Sequence, residues 1–414
     1  METKKQKRVL LFSGGHGEER LIIALKELGC YVITTGNRTD HPWHKLADEY
    51  VYGDYSDIAL MYDIAVQKNV DAACPCAGDG SAIAAAYIAE KLGLPGHDSY
   101  ETTVLLHNKD KFKAFASELG GIRTPMAVPF SDVETALKWA EETTHEYPMI
   151  VKPVDREAGS GVSRVDSLVK LKEQIKIAFK ESRSKRILIE PFIEGSQHGF
   201  CTFLVDQKVV AVSTNNEYAI INPYQVEIDT FPADHVDLVK EDLIGQIERI
   251  AKALNLSDGI FHLQYILRDG KPYIIECMRR TPGNIYCMLA EKADGGLRWE
   301  YWQARAKCGF GCEGFPTKKT KNGFAAYRKL MPSRNGVYER WELPEDIKKH
   351  VFYECVMRES GEEITDYMKQ TVGLVFLEFS SREEMMEIMI DRAAEFKVLV
   401  RERSLETPQA TLFI

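Results

Sequence analysis

The sequence predicts an α/β protein with a doubly wound parallel sheet at its N-terminus, a central α+β domain and a small C-terminal α+β domain. Three observations indicate this architecture. The first hundred residues alternate short apolar strands with amphipathic helices, and later strands show period-2 alternation and tight turns. The chain of 414 residues is long enough for two or three domains.

The N-terminal region opens with the strand RVLLF, which runs into the turn Gly14-Gly15-His16-Gly17. A helical segment, the strand CYVITTG and two further strand and helix pairs follow, and this order predicts parallel strands. The glycine turn stands where a helix N-terminus could receive a phosphate. It lacks the complete G-x-G-x-x-G pattern, so we expect it mainly to turn the chain.

Composition excludes several classes of protein. The net charge of -9 argues against nucleic acid as a partner, because binding to phosphate backbones requires an excess of Lys and Arg. The first apolar run, Val9 to Phe12, is too short for a signal peptide or a membrane span. The nine cysteines show no zinc-site spacing, so we expect reduced thiols and a cytoplasmic protein without a membrane partner.

Lysines and glycines after residue 107 suggest a site for an anion. Lys109, Lys111 and Lys113 lie near the predicted start of a helix, where cations are disfavoured unless an anion compensates them, although a solvated face would explain them too. Lys152 ends a strand and precedes a loop with Gly159, Ser160 and Gly161. Such a loop can close over phosphates with its N–H groups, or it can be a plain hairpin loop.

The next predicted strands carry acidic and amide side chains that could bind a ligand. Glu190 closes an apolar strand, either as a hydrogen-bonded strand end or as an acceptor for the amine of a purine. Gln264 and Glu276 lie on two strands joined by an Arg-Asp-Gly-Lys turn. The hairpin brings the two side chains together on one face, where their oxygens could hold Mg²⁺.

In this order the motifs resemble the ATP-grasp superfamily, over roughly residues 108 to 300. The resemblance implies that Lys109, in Asn-Lys-Asp-Lys-Phe, and Lys152 bind phosphates, and that the glycine loop is the lid. It also implies that Glu190 faces the adenine and Gln197 the ribose. The backbone of the run Pro191, Phe192 and Ile193 would bind the purine edge.

The metal pair departs from the pattern of the family. Gln264 stands where relatives usually have an acid, and Glu276-Cys-Met-Arg-Arg replaces Glu-x-Asn-Pro-Arg. The thioether of Met278 is too soft for Mg²⁺, so Glu276, Gln264, water and ATP oxygens must hold the ion, with Mn²⁺ as an alternative. We interpret this as an altered site and not as a lost one.

The resemblance implies a carboxylate-amine ligase that forms an acyl phosphate from ATP and releases ADP and phosphate. Arg280 is the first choice to grip the carboxylate or the acyl phosphate and Arg279 the second, because neighbouring residues of a strand face opposite sides. His262 lies on the face of Gln264 and is either a base or a structural histidine. The alternatives are an ATP-binding protein with weak or no ligase activity and a bicarbonate-using carboxylase.

The flanking segments resemble the other domains of the same clade. We expect a pre-ATP-grasp domain over 1–107, an ATP-grasp domain over 108–310 with its lid at about 125–195, and a C-terminal domain over 311–414. The expected substrates are a small carboxylate and an amine, and by resemblance we expect a homodimer.

Overall fold

The fold is taken from a computed structural model, which describes residues 6–156, 159–316 and 323–402. The chain divides into two compact units. Unit 1 comprises Met1–Glu217 and Phe231–Gly323, and unit 2 comprises Tyr218–Thr230 and Phe324–Ile414. Among the described residues, no helix combines the length and the apolar character that a membrane span would need.

Unit 1 begins with the parallel sheet that the sequence predicted. Its strands, in the order β3-β2-β1-β4, are β1 (Arg8–Phe12), β2 (Tyr31–Gly36), β3 (Glu49–Tyr52) and β4 (Ala72–Cys74). The helices are α1 (Glu19–Glu27), α2 (Ile58–Gln67), α3 (Asp79–Leu92) and α4 (Tyr100–His107).

Strand β1 shows why this sheet is covered on both faces. Val9 and Leu11 point into a core shared with α1, whereas Leu10 and Phe12 point into a second core shared with α2 and α3. All four side chains are fully buried, as an apolar strand between two helical layers requires. The expected doubly wound sheet is confirmed.

A helix and a small antiparallel sheet follow. The helices are α5 (Lys109–Leu119), α6 (Val133–Glu142) and α7 (Leu168–Glu181). The strands, in the order β5-β8-β6-β7, are β5 (Val128–Phe130), β6 (Met149–Pro153), β7 (Ser163–Val165) and β8 (Ile187–Pro191). α6 and α7 pack their apolar faces on this sheet.

The second antiparallel sheet of unit 1 carries most of the predicted site. Its strands run in the order β13-β12-β9-β10. Helices α5 and α8 bury apolar residues against it. Its elements are β9 (Ser196–Val205), β10 (Lys208–Tyr218), α8 (Val236–Ala253), β12 (Gly259–Arg268), β13 (Lys271–Met278), α9 (Tyr286–Ala293) and α10 (Trp299–Lys307), and β11 (Ile228–Phe231) lies between β10 and α8 in the chain.

Unit 2 takes β11 from upstream and joins it to the C-terminal elements. Its strands form the orders β11-β14-β18-β16 and β17-β15-β19. The boundaries are β14 (Phe324–Leu330), β15 (Gly336–Glu342), α11 (Glu345–Lys348), β16 (Val351–Val356), β17 (Glu363–Ile364), β18 (Gly373–Phe379), α12 (Arg382–Met386) and β19 (Lys397–Arg401).

Candidate functional site

The hairpin of β12 and β13 places Gln264 and Glu276 side by side, as the sequence predicted. The two residues are direct cross-strand partners, and the register shifts immediately after Gln264. Both side chains are only partly buried. Directly opposed residues of an antiparallel pair share a face, so the carboxylate and the amide oxygen can approach the same ion.

Lys109 is the first residue of α5, and its ammonium lies at the same hairpin. Its Nζ is 2.8 Å from Oε2 of Glu276 and donates to the carbonyl of Arg156 at 3.1 Å. A cation is disfavoured at a helix N-terminus, and the carboxylate of Glu276 supplies the compensating charge. The predicted phosphate lysine and the predicted metal ligand therefore meet.

Lys152 and Lys113 share the carboxylate of Glu190. Nζ of Lys152 lies 2.5 Å from Oε1, and Nζ of Lys113 lies 2.8 Å from Oε2, with all three side chains buried. Burial acts to raise the pKa of Glu190, but the two ammoniums outweigh it and hold that pKa below its usual value. Burial lowers the pKa of Lys113 to about 8, and Lys152 and Lys109 add to this effect.

The segment after Glu190 offers few backbone donors. Pro191 has no N–H, and the N–H of Phe192 donates to the carbonyl of Pro148 at 3.0 Å, which leaves the amide of Ile193 to serve as the donor in this run. The ring of Phe192 stacks under the guanidinium of Arg164 at 4.5 Å.

The glycine loop follows β6 and leads into β7. Gly159 and Gly161 adopt φ of +70° and +74°, and the N–H of Val162 donates to the carbonyl of Gly159 at 3.1 Å. A Cβ at Gly161 would lie 2.8 Å from Cγ of Pro153, so the turn requires glycine there. Ser160 accepts a long hydrogen bond, 3.5 Å, from Arg156.

Glu217 lies beside the amides of Gln197 and Gln264. It is a buried carboxylate that the sequence interpretation missed. Gln197 donates to it at 2.6 Å, and Gln264 donates to both of its oxygens at 2.7 Å. Burial raises the pKa of Glu217 to about 7, and Glu276 adds to this rise, whereas the hydrogen bonds from Gln264, Gln197 and Asn215 oppose it. In the sequence it was marked only as the last residue of the polar stretch TNNE.

His262 lies on the same strand as Gln264 but is enclosed. Burial, with a contribution from Arg280, lowers the pKa of its imidazole to about 3. The ring packs edge-on against Tyr286, with centroids 5.1 Å apart, and Nδ1 has no hydrogen-bond partner among the described residues. A histidine in this environment stays neutral at physiological pH.

The two adjacent arginines point to different surroundings, because β13 ends at Met278. Arg279 is buried and donates to Asp98 at 2.8 Å and to the carbonyl of Ile260 at 2.6 Å, which ties it to the protein interior. Nε of Arg280 donates to Oδ1 of Asp79 at 2.8 Å. Arg280 thus lies toward the N-terminal sheet, at the start of α3.

Asp79 joins Arg280 to the rest of the cluster. Its Oδ1 also accepts from Nδ1 of His107 at 2.9 Å. Burial acts to raise the pKa of Asp79, but the charges of Arg280, His107 and Lys109 outweigh it and hold it well below the usual range. Nearby, burial raises the pKa of Glu18, whose Oε1 accepts from the N–H of Ala77.

Comparison with known proteins agrees with this geometry. Residues 108–283 match the family model of the ATP-grasp domain. This part of the chain is therefore an ATP-grasp domain.

Curated relatives match part of the chain. A formate-dependent phosphoribosylglycinamide formyltransferase of Prochlorococcus marinus is 28% identical over 191 residues, which cover 45% of this chain and 48% of the relative. An arginine-specific carbamoyl phosphate synthase large chain of Bacillus subtilis is 25% identical over 277 residues, which cover 65% of this chain and 26% of the relative. The matches to the formyltransferases span about half of their length.

Solved structures share the fold over nearly the whole chain. An L-amino acid ligase from Bacillus licheniformis superposes with a TM-score of 0.80 at 19% identity and covers 97% of this chain and 100% of its own. A phosphoribosylglycinamide synthetase from Anaerococcus prevotii gives 0.73 at 21% identity, with 96% and 100% covered.

Proposed function

We propose that the protein is an ATP-dependent ligase that joins a small carboxylate to an amine through an acyl phosphate and releases ADP and phosphate. One observation carries the proposal. The ammonium groups of Lys109 and Lys152 both act electrostatically on that of Lys113. Lys109 is paired with Glu276, whereas Lys113 and Lys152 share Glu190. The three ammoniums carry one positive charge more than the two carboxylates with which they pair, which favours the binding of an anion with several charges.

The donor set fits a divalent cation. Glu276 and Gln264 offer hard oxygens, which Mg²⁺ and Mn²⁺ accept, whereas Met278 offers only sulfur. Among the described residues no group of three or more His, Cys, Asp or Glu side chains could hold a metal ion, and Mg²⁺ commonly keeps water and phosphate oxygens as its other ligands. The cation would neutralise charge on the ATP phosphates.

The remaining residues suit the two chemical steps. A carboxylate oxygen of the substrate attacks the γ-phosphorus, the bond to the ADP oxygen breaks, and Lys109 and Lys152 stabilise the charge on the transferred group. The amine then attacks the acyl carbon and phosphate leaves. Arg280 is our choice to bind the acyl phosphate, because its planar guanidinium offers paired donors; its Nε donates to Asp79 and its Nη1 to the carbonyl of Thr281, and both bonds orient the group.

The nucleotide would lie along β8, which carries Glu190. Ile193 supplies the backbone donor for the purine edge, Gln197 the acceptor for a ribose hydroxyl, and the loop of Gly159 to Gly161 the cover over the phosphates. The named activities of the relatives, a formyltransferase and an L-amino acid ligase, support a small acid and an amine as substrates.

The test is ADP release with pooled amino acids, small carboxylates and amines, with and without Mg²⁺. We expect release that needs the cation and an acceptor, and a fall of about 10²-fold or more in Lys152→Ala and Glu276→Ala. Lys172→Ala, which alters a lysine outside the site, should match the wild type. Release that depends on bicarbonate would instead indicate a carboxylase.

ATP binding without release that responds to the mutations would contradict the ligase and favour a nucleotide-binding protein. The homodimer is a separate proposal, and light scattering of the same preparation tests it.

A further inference from the structure

Glu217 is bound by two amides that come from different strands. Gln197 lies directly opposite it, on β9, whereas Gln264 lies on β12, on the far side of β9. Gln264 reaches Glu217 across Gly199, its partner on β9, which has no side chain. The space beside Gly199 holds Asn215, because a Cβ at Gly199 would lie 2.2 Å from Oδ1 of Asn215.

Hydrogen-bond chemistry fixes which end of each amide faces Glu217. In its ionised form, which the hydrogen bonds from these amides favour, the carboxylate of Glu217 only accepts, and a primary amide donates only through its nitrogen. Nε2 of Gln197 and Nε2 of Gln264 therefore face Glu217, at 2.6 and 2.7 Å, and both amide oxygens are turned away from it.

The carboxylate is itself held in place. Asn215 is fully buried, and its Oδ1 accepts from the hydroxyl of Tyr286 at 3.0 Å, so its nitrogen is left to donate to Glu217. Three amides thus converge on one buried carboxylate, and two of them belong to the proposed nucleotide site.

We propose that Glu217 is a shared positioning residue, which orients Gln197 so that its oxygen faces the ribose and Gln264 so that its oxygen faces the divalent cation. The inference rests on the proposed function, because it takes the ribose and cation roles of the two amides from there. It adds that a single carboxylate couples sugar recognition to cation recognition.

The experiment measures nucleotide affinities by calorimetry and compares them as two ratios. The cation ratio compares the affinity for ATP with Mg²⁺ and with EDTA, and the sugar ratio compares ATP with 2′-deoxy-ATP and 3′-deoxy-ATP. In Glu217→Gln we expect both ratios to fall together, each by roughly threefold to tenfold, as the loss of one oriented hydrogen bond would give. A general loss of packing would weaken all ligands and leave the ratios unchanged.

Single variants separate the proposed cation role of Gln264 from the proposed ribose role of Gln197. Gln264→Ala should lower the cation ratio alone, and Gln197→Ala should lower the sugar ratio alone. In the exchange Glu217→Gln with Gln264→Glu, the amide and the acid swap places and the hydrogen bond is kept, so the cation ratio should recover. Glu300→Gln removes another buried carboxylate, on α10, that is bound to Arg20, and it should leave both ratios at the wild-type value.

Unchanged ratios in Glu217→Gln, with ATP binding intact, would overturn the inference and leave the proposed ligase standing. If that variant does not fold, Glu217→Asp takes its place, since the shorter side chain cannot reach both amides, and unchanged ratios there have the same meaning. If the wild type binds no ATP, the proposed function fails and this inference fails with it.

Discussion

Two buried glutamates of unit 1 have opposite surroundings. Glu190 lies between the ammonium groups of Lys113 and Lys152, and Glu217 lies among the neutral amides of Gln197, Gln264 and Asn215. Both lie in the candidate site, and both are at least nine-tenths buried. The pKa of Glu190 is lowered, whereas burial raises that of Glu217 to about 7.

The difference shows that burial alone does not decide whether a carboxylate is ionised. Desolvation penalises the charged form at both sites, and only a nearby positive charge reverses the effect. Amide donors stabilise a carboxylate less than ammonium donors do. We therefore propose that the cluster around Glu190 supplies positive charge to a bound anion, whereas the cluster around Glu217 orients amide groups.

The largest effect is expected when the ion-pair cluster is broken. Glu190→Gln leaves two buried ammoniums without a counter-charge, and removal of one partner from a buried pair costs about 3–5 kcal/mol. Urea unfolding followed by circular dichroism should show this loss in the free energy of unfolding. Glu141→Gln, which removes the partner of Lys172 at an exposed position, should change stability little.

Equal stability in Glu190→Gln and the wild type would remove the contrast, because it would mean that the two lysines are solvated or neutral. In that case Lys113→Met, which removes one ammonium, should also leave the stability unchanged.

The sequence alone predicted the contacts of Gln264, Glu276 and Lys109 better than the contacts of Glu217. The hairpin that joins Gln264 to Glu276 follows from period-2 alternation and a short turn, which are local signals. The place of Lys109 at a helix start is local as well. Glu217 has no such signal, because its partners Gln197 and Gln264 are 20 and 47 residues away in the chain.

The two arginines show the same limit. Strand alternation predicted that Arg279 and Arg280 would face different sides, but not which would be enclosed. Asp98 and Asp79 decide this, and they lie 181 and 201 residues upstream of their partners. Unit 2 likewise takes residues 218–230 from a distant part of the chain. Such choices depend on long-range packing, which a single sequence does not display.

The second prediction uses pH to separate the glutamates. The pKa of Glu217 is raised on folding, so between about pH 4.5 and 7 the folded state binds more protons than the unfolded state, and stability falls as pH rises through this window. The loss is at most about 3 kcal/mol. Glu217→Gln should remove this slope when urea unfolding is measured in EDTA without nucleotide.

Glu190 should behave in the opposite way. Its pKa is lowered on folding, so its contribution is complete above the usual glutamate value and is lost as pH falls below it. Glu190→Gln should therefore be less stable than the wild type above the usual glutamate pKa, and this difference should shrink as the pH falls below that value. Identical slopes in the two variants would show that the two carboxylates do not differ in charge state.

The smallest effect is expected from a methyl group added between the strands that bear the Glu217 cluster. In Gly199→Ala the new Cβ would lie 2.2 Å from Oδ1 of Asn215, and Asn215 has no free space because it is fully buried. Overpacking of this kind costs about 1–3 kcal/mol. Because Asn215 must move, the cation and sugar ratios should also fall.

Two further variants isolate the cause. Gly199→Ala combined with Asn215→Ala frees the space, so part of the stability should return while the ratios stay low. Gly245→Ala, at an exposed position of α8 where a Cβ meets nothing within 4 Å, should raise stability by about 0.5–1 kcal/mol. If Gly199→Ala were as stable as the wild type, β9 and β10 would be able to move apart at this point without cost. Glu217 would then not be held in a fixed position.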